Sequence, residues 1–164
     1  MTGALDAAEL LLHLHEPGLH AREVLEQPGD AGAGDDTIVF DAADTHIDGG
    51  DGTDTLIMSN AVLDFSNITN GTIENIEKLS LNNNEAQKVS LTLEDVLDMT
   101  GAENVLEVTG GEGDTITLDV TGWTQDANNS GLFTKGTDSV SIVSSADSGN
   151  EIQIDYTDDG TPIG

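Results

Sequence analysis

A mainly β fold is predicted by three features of this sequence. From Gly32 onward the vocabulary is Gly, Asp, Thr, Asn and β-branched residues. Short alternating runs (TIVF, TLIM, KLSL, KVSL, VLEV, TITLDV, VSIV and EIQIDY) are separated by Gly, Asn and Asp clusters, the pattern of half-buried strands between turns. An apolar position recurs at every ninth residue, at Ile38, Ile47 and Leu56. Together these predict a short β-roll over residues 31–58. It leads into a β-rich domain over residues 59–164, either solenoid-like or a sandwich.

Residues 1–30 form a separate helical or linker segment, rich in Ala, Leu, Glu and His. Leu5, Ala8, Leu11 and Leu12 fall at helical spacing. Pro17-Gly18 breaks that pattern, and Leu19, Val24 and Leu25 suggest a second short helical turn before Pro28-Gly29. Within the β part, one short helix is expected over 92–99. Thr92 can cap it with Asp95 in the following turn, Val96, Leu97 and Met99 supply apolar contacts, and Gly101 can end it. From Gly131 to Thr157 three antiparallel strands are expected, separated by GTDS and SSADSGN turns and able to cover a sheet edge.

The chain of 164 residues carries 32 acidic against four basic residues, for a net charge of −28. Such a surface repels phosphate backbones and anionic lipid heads, which argues against nucleic acid and membrane insertion. On composition alone, a solvated acidic surface and divalent-cation binding both remain open. Aromatic residues are only 3% of the chain, so the core must come from Val, Ile and Leu. Cysteine is absent, which excludes disulfides and Cys-based zinc sites. The first residues lack a basic region, and Asp6, Glu9, His13 and His15 interrupt their apolar run, so no N-terminal secretory signal is expected.

The phrases AGAGDDTIV (31–39) and GGDGTDTLI (49–57) lie two nonapeptides apart in an unbroken register. The second matches the calcium-binding nonapeptide G-G-x-G-x-D-x-U-x at every specified position, and the first departs only at Ala31. In each nonapeptide a tight turn is followed by a short strand, so two nonapeptides complete one coil and equivalent phrases stack. Asp36 and Asp54 then flank one gap, with Gly32, Gly34, Gly50 and Gly52 shaping the loops and bringing carbonyl oxygens together. That all-oxygen setting suits Ca2+, at the roughly 10⁻⁴–10⁻³ M typical of extracellular modules. Asp41, Asp44 and Asp48 flank the first phrase and are candidates for a second calcium site across the roll. The plainer alternative is that both phrases are turns joining hairpin strands.

The run GDDTIVFDAADTHIDGGDGTDTLIM, with IENIEKLSL and LTLEDVLDMTGAENVLEVTGGEGDTITL after it, resembles the C-terminal region of large bacterial RTX adhesins over residues 32–125. The resemblance implies an extracellular, cell-surface or biofilm protein, exported by the type I secretion machinery without an N-terminal signal peptide. It also implies a calcium-loaded roll, and a surface glycan or other adhesion target as partner. Residues 1–30 match nothing in that family. Two other classes are carried beside it: a non-catalytic RTX appendage of an exported protease, lipase or alginate epimerase, and a calcium-dependent carbohydrate-binding module. No enzyme is expected, since no nucleophile motif, H-E-x-x-H or phosphate loop occurs.

Remaining features have plainer readings. Gly110–Ile116 resembles a nonapeptide with one residue deleted and is read as a turn. His13, His15, Glu16 and His20 are read as a surface cluster, His46 as a loop residue and Trp123 as a core anchor.

Overall fold

The computed structural model describes residues 24–25, 30–41, 44–59, 62–81, 85–146 and 152–163. The protein is mainly β, and the described residues form three sheets, the two larger ones mixed. The first sheet begins with β1 (Val24–Leu25), β2 (Thr37–Phe40), β4 (Thr55–Met58), β7 (Lys78–Leu81), β9 (Val105–Gly110) and β13 (Asp138–Ala146), each pair parallel. β12 (Leu132–Lys135) and β11 (Thr124–Gln125) extend it antiparallel. In the second sheet β5 (Val62–Asp64), β8 (Lys88–Thr92), β10 (Thr115–Asp119) and β14 (Gln153–Asp158) are parallel, and β15 (Thr161–Pro162) closes antiparallel on β14. The third sheet is the parallel pair β3 (Ile47–Asp48) and β6 (Ile73–Glu74).

The chain returns to the first sheet over widening intervals. Thr37 lies against Thr55, Thr55 against Lys78, Lys78 against Glu107 and Val105 against Ser141, each separation along the chain longer than the one before. Parallel partners share a face, so each sheet carries an apolar ladder. Ile38, Leu56, Leu79 and Val108 align in the first sheet; Leu63, Val89 and Ile116 align in the second. Ile47 faces Ile73 in the third, and all of these join one buried core. Each such aliphatic side chain contributes about 2 kcal/mol by leaving water. This is how a chain with few rings builds a core.

Helix α1 (Leu93–Met99) forms where expected. Thr92 Oγ1 accepts from Asp95 N at 3.1 Å, and Asp95 Oδ2 accepts from Thr92 N at 2.7 Å. Leu93, Val96 and Met99 are buried on its inner side. Glu94 and Asp95 sit in the first turn, where acidic side chains favour the helix dipole. Thr92→Ala removes the reciprocal cap. We expect a loss of about 1 kcal/mol, read as a fall of about 2–4 °C in melting temperature for a chain of this size.

Two expectations are corrected. Val24–Leu25 is a strand parallel to β2, not a helical turn. Pairing with the open edge of β2 satisfies backbone groups that an isolated turn between two prolines would leave to water. The helix expected earlier in residues 1–30 lies outside the described residues. The three antiparallel strands after Gly131 are in fact two: β12 and β13 pair so, but β14 crosses to the second sheet and runs parallel to β10. There Ile154 and Tyr156 fall in register with the buried Ile116 and Leu118. Tyr156 also meets Phe133 at a centroid distance of 5.2 Å.

Trp123 is half-buried rather than a deep anchor. Its Nε1 donates to Glu94 Oε1 at 3.2 Å, and Lys135 Nζ lies 5.6 Å from its ring centroid. Among the described residues no helix is long and apolar enough to cross a membrane.

Candidate metal centre

The candidate site is built at the start of the first-sheet strands. Asp36, Asp54 and Glu77 immediately precede β2, β4 and β7. They are equivalent by backbone bonding. Thr55 N donates to Asp36 O, Lys78 N to Asp54 O and Glu107 N to Glu77 O, at 2.8–2.9 Å. In the second sheet Gln87 and Asp114 hold the same place: Thr115 N donates to Gln87 O and Gln153 N to Asp114 O.

The side chains at these positions reach back one strand. Asp54 Oδ1 accepts from Asp36 N at 2.7 Å, Glu77 Oε2 from Asp54 N at 2.9 Å and Asp114 Oδ1 from Gln87 N at 2.8 Å. A carboxylate ladder results, each rung closing on the amide of the preceding return.

Asp54 and Asp114 differ at the second oxygen. Asp114 Oδ2 accepts from Gly111 N at 2.7 Å, so both its oxygens are satisfied by amides. Asp54 is fully buried, and among the described residues its Oδ2 accepts no hydrogen bond. Burial pushes the Asp54 carboxyl up to about 6, with Glu77, Asp36 and Asp35 adding repulsion and the amide of Asp36 pulling the other way. A desolvated carboxylate with an unsatisfied oxygen must take a proton or a cation.

The loops beside it stack closely through their backbones. Ala31 N donates to Asp48 O, Asp51 N to Gly32 O and Gly34 N to Asp51 O, at 2.7–2.8 Å, so the two glycine phrases lie directly on one another. Gly50 and Gly52 have φ of 90° and 150°. A Cβ on Gly50 would collide with Gly32 O, and one on Gly52 with Gly34 O. The glycines therefore serve close backbone stacking as well as turn geometry. The donor set is wholly oxygen, the chemistry of a hard cation.

The other predicted residues are placed apart. Asp44 Oδ2 accepts from Asp41 N at 2.8 Å, and Asp44 N donates to Asp41 O, closing a local turn. Asp48 Oδ1 instead accepts from Asn75 Nδ2 at 2.6 Å and Gly50 N at 3.0 Å. Among the described residues, one trio of metal-ligating side chains has its ligand atoms within 4.8 Å of one another: Asp30, His46 and Asp48. Asp41 and Asp44 are not part of that trio. His46 is exposed in a loop, as expected, with Nε2 3.9 Å from Asp30 Oδ1. Gly111–Asp114 forms a turn, closed by Asp114 N on Gly111 O.

Glu77 escapes motif reading, because no glycine phrase surrounds it. Its signal is positional. It precedes KLSL as Asp36 precedes TIVF and Asp54 precedes TLIM.

No protein-family model, curated protein or solved structure matches this chain.

Proposed function

We propose that this chain is a calcium-binding structural module that folds on binding the ion outside the cell, within a secreted RTX-type adhesin. The observation that carries the calcium reading is the Asp54 carboxylate, fully buried with one oxygen unsatisfied. The equivalent Asp114 closes both oxygens on amides and lacks that need. On this reading β2, β4 and the loops before them are one coil of a calcium-binding β-roll, supported by the register of Thr37 against Thr55, two nonapeptides on. Later strands continue it in solenoid-like fashion.

Asp36 and Asp54 supply carboxylates, and the loops of Gly32, Gly34, Gly50 and Gly52 bring carbonyl oxygens to the same place. Bound calcium supplies positive charge to the unsatisfied oxygen of Asp54. Without it, the loop carboxylates repel one another across the stack. Binding to the folded chain alone stabilises it by mass action. Export through the type I machinery and adhesion to a surface target rest on the resemblance of residues 32–125 to RTX adhesins. A low-calcium interior would leave the chain open for threading.

Calorimetric titration of the EGTA-treated protein with CaCl2 tests this reading, alongside thermal melts followed by circular dichroism. Saturation near 100 times the dissociation constant should stabilise the fold by about 2.7 kcal/mol, raising the melting temperature by roughly 5–10 °C. Absence of both heat and a thermal shift at calcium on the order of 10 mM, well above the range typical of extracellular modules, refutes it.

A further inference from the structure

We propose that Glu77 is a positioning residue that ties the candidate calcium site to the strands following the nonapeptides. The inference rests on the calcium reading of Asp54 and extends it beyond the repeat. Glu77 belongs to neither glycine phrase and enters the first sheet one return later, 23 residues after Asp54.

The Asp54 peptide is gripped from both sides by this segment. Its N–H donates to Glu77 Oε2 at 2.9 Å, while its carbonyl accepts from Lys78 N at 2.9 Å and Glu77 N at 3.2 Å. The backbone at Asp54 thus cannot take its orientation until the start of β7 is in place. That orientation aims the carboxylate, with Oδ1 on Asp36 N and Oδ2 left over for a ligand. A carboxylate accepting an amide is a strong, charge-assisted acceptor, and a buried one holds geometry tightly. Glu77 O in turn accepts from Glu107 N at 2.8 Å, so the same residue links onward to β9.

A chain of hydrogen bonds therefore runs Asp36, Asp54, Glu77, Glu107 across four strands of one sheet. Calcium at Asp36 and Asp54 favours the arrangement in which Glu77 holds Asp54, and that arrangement requires β7 to be docked. Binding within the repeat and order beyond it become one equilibrium. Glu77 Oε2 is engaged by the Asp54 amide, so Glu77 acts through Asp54 and not as a third ligand.

The test is Glu77→Gln in the full chain, with calorimetric calcium titration and melts in EGTA and in saturating calcium. Trp123, the sole tryptophan, reports on the later strands by fluorescence. Loss of a residue that orients a metal ligand should weaken calcium binding about tenfold or more, and the calcium-induced gain in melting temperature should shrink. The Trp123 transition should move to higher calcium with the calorimetric midpoint. A purely structural role would lower both melting temperatures equally and leave the gain and midpoint unchanged; that result overturns the proposal. A variant unfolded at every calcium concentration also overturns it. Glu77→Asp, which keeps the charge on a shorter arm, should fall between wild type and Glu77→Gln. Should wild type itself bind no calcium, the calcium reading fails first and this inference with it. Normal wild-type binding with an unaltered variant sinks the inference alone.

Discussion

Asp54→Asn is expected to raise the melting temperature of the calcium-free protein and to abolish the rise proposed for calcium. Both effects follow from one buried oxygen. The fold holds the Asp54 carboxyl up to about 6 against an ordinary 3.8, chiefly through burial. A carboxyl raised by the fold is favoured there in its protonated form. Its stability contribution is present below its ordinary value and is lost as pH rises to about 6. Above that, the ionised group costs up to about 3 kcal/mol in the absence of a cation. Asparagine removes the charge while its Oδ1 still accepts the amide of Asp36. The difference in melting temperature between variant and wild type in EGTA should be near zero at about pH 4 and grow to a plateau above about pH 6. In saturating calcium near neutral pH the order should narrow or reverse, because only wild type responds. A variant less stable than wild type in EGTA on the alkaline side of that plateau would show that hydrogen-bond geometry, not charge, dominates at this position.

Gly50→Ala should be the most damaging small substitution in the loops, with Gly32→Ala as its control. The two glycines occupy the same place in the two phrases, and both have positive φ, 90° and 107°. Among the described residues a methyl on Gly32 meets nothing within 4 Å, whereas one on Gly50 meets the carbonyl of Gly32. Gly32→Ala therefore carries backbone strain alone, about 1–2 kcal/mol. Gly50→Ala adds separation of the stacked loops, for a total of about 3–4 kcal/mol. Urea denaturation curves should resolve the pair, and calcium affinity should fall markedly only for Gly50→Ala. Equal losses in the two variants would mean that strain rather than close stacking governs these loops.

The parts of this fold legible in the sequence were those written in local repetition. Ile38 and Leu56 share a position in the two glycine phrases, and they are direct partners in the first sheet. The capping box of Thr92 and Asp95 is a signal confined to one turn, and the helix starts there. Legibility ends where pairing is decided by distant partners. The run EIQIDY alternates as well for a hairpin with β13 as for a parallel strand beside β10. The core decides, because Ile154 and Tyr156 continue the ladder of Ile116 and Leu118. Likewise Asp54 was found by its motif, but its unsatisfied oxygen and the grip of Glu77 exist only once Asp36, Asp54 and Glu77 are brought side by side by strand pairing.

The widening returns to the first sheet set an order in time. Closing a loop becomes harder with length, but slowly: each doubling costs only about 0.6 kcal/mol, roughly a threefold rate. The shortest of the parallel returns from β2 to β13 brings β2 against β4, and each later parallel strand finds an edge already laid down by its predecessor. Assembly is thereby biased to advance from the glycine phrases toward Ala146, each return templating a longer one. A protein whose shortest parallel return from β2 also brings repelling carboxylates together has its starting point and its brake at the same place.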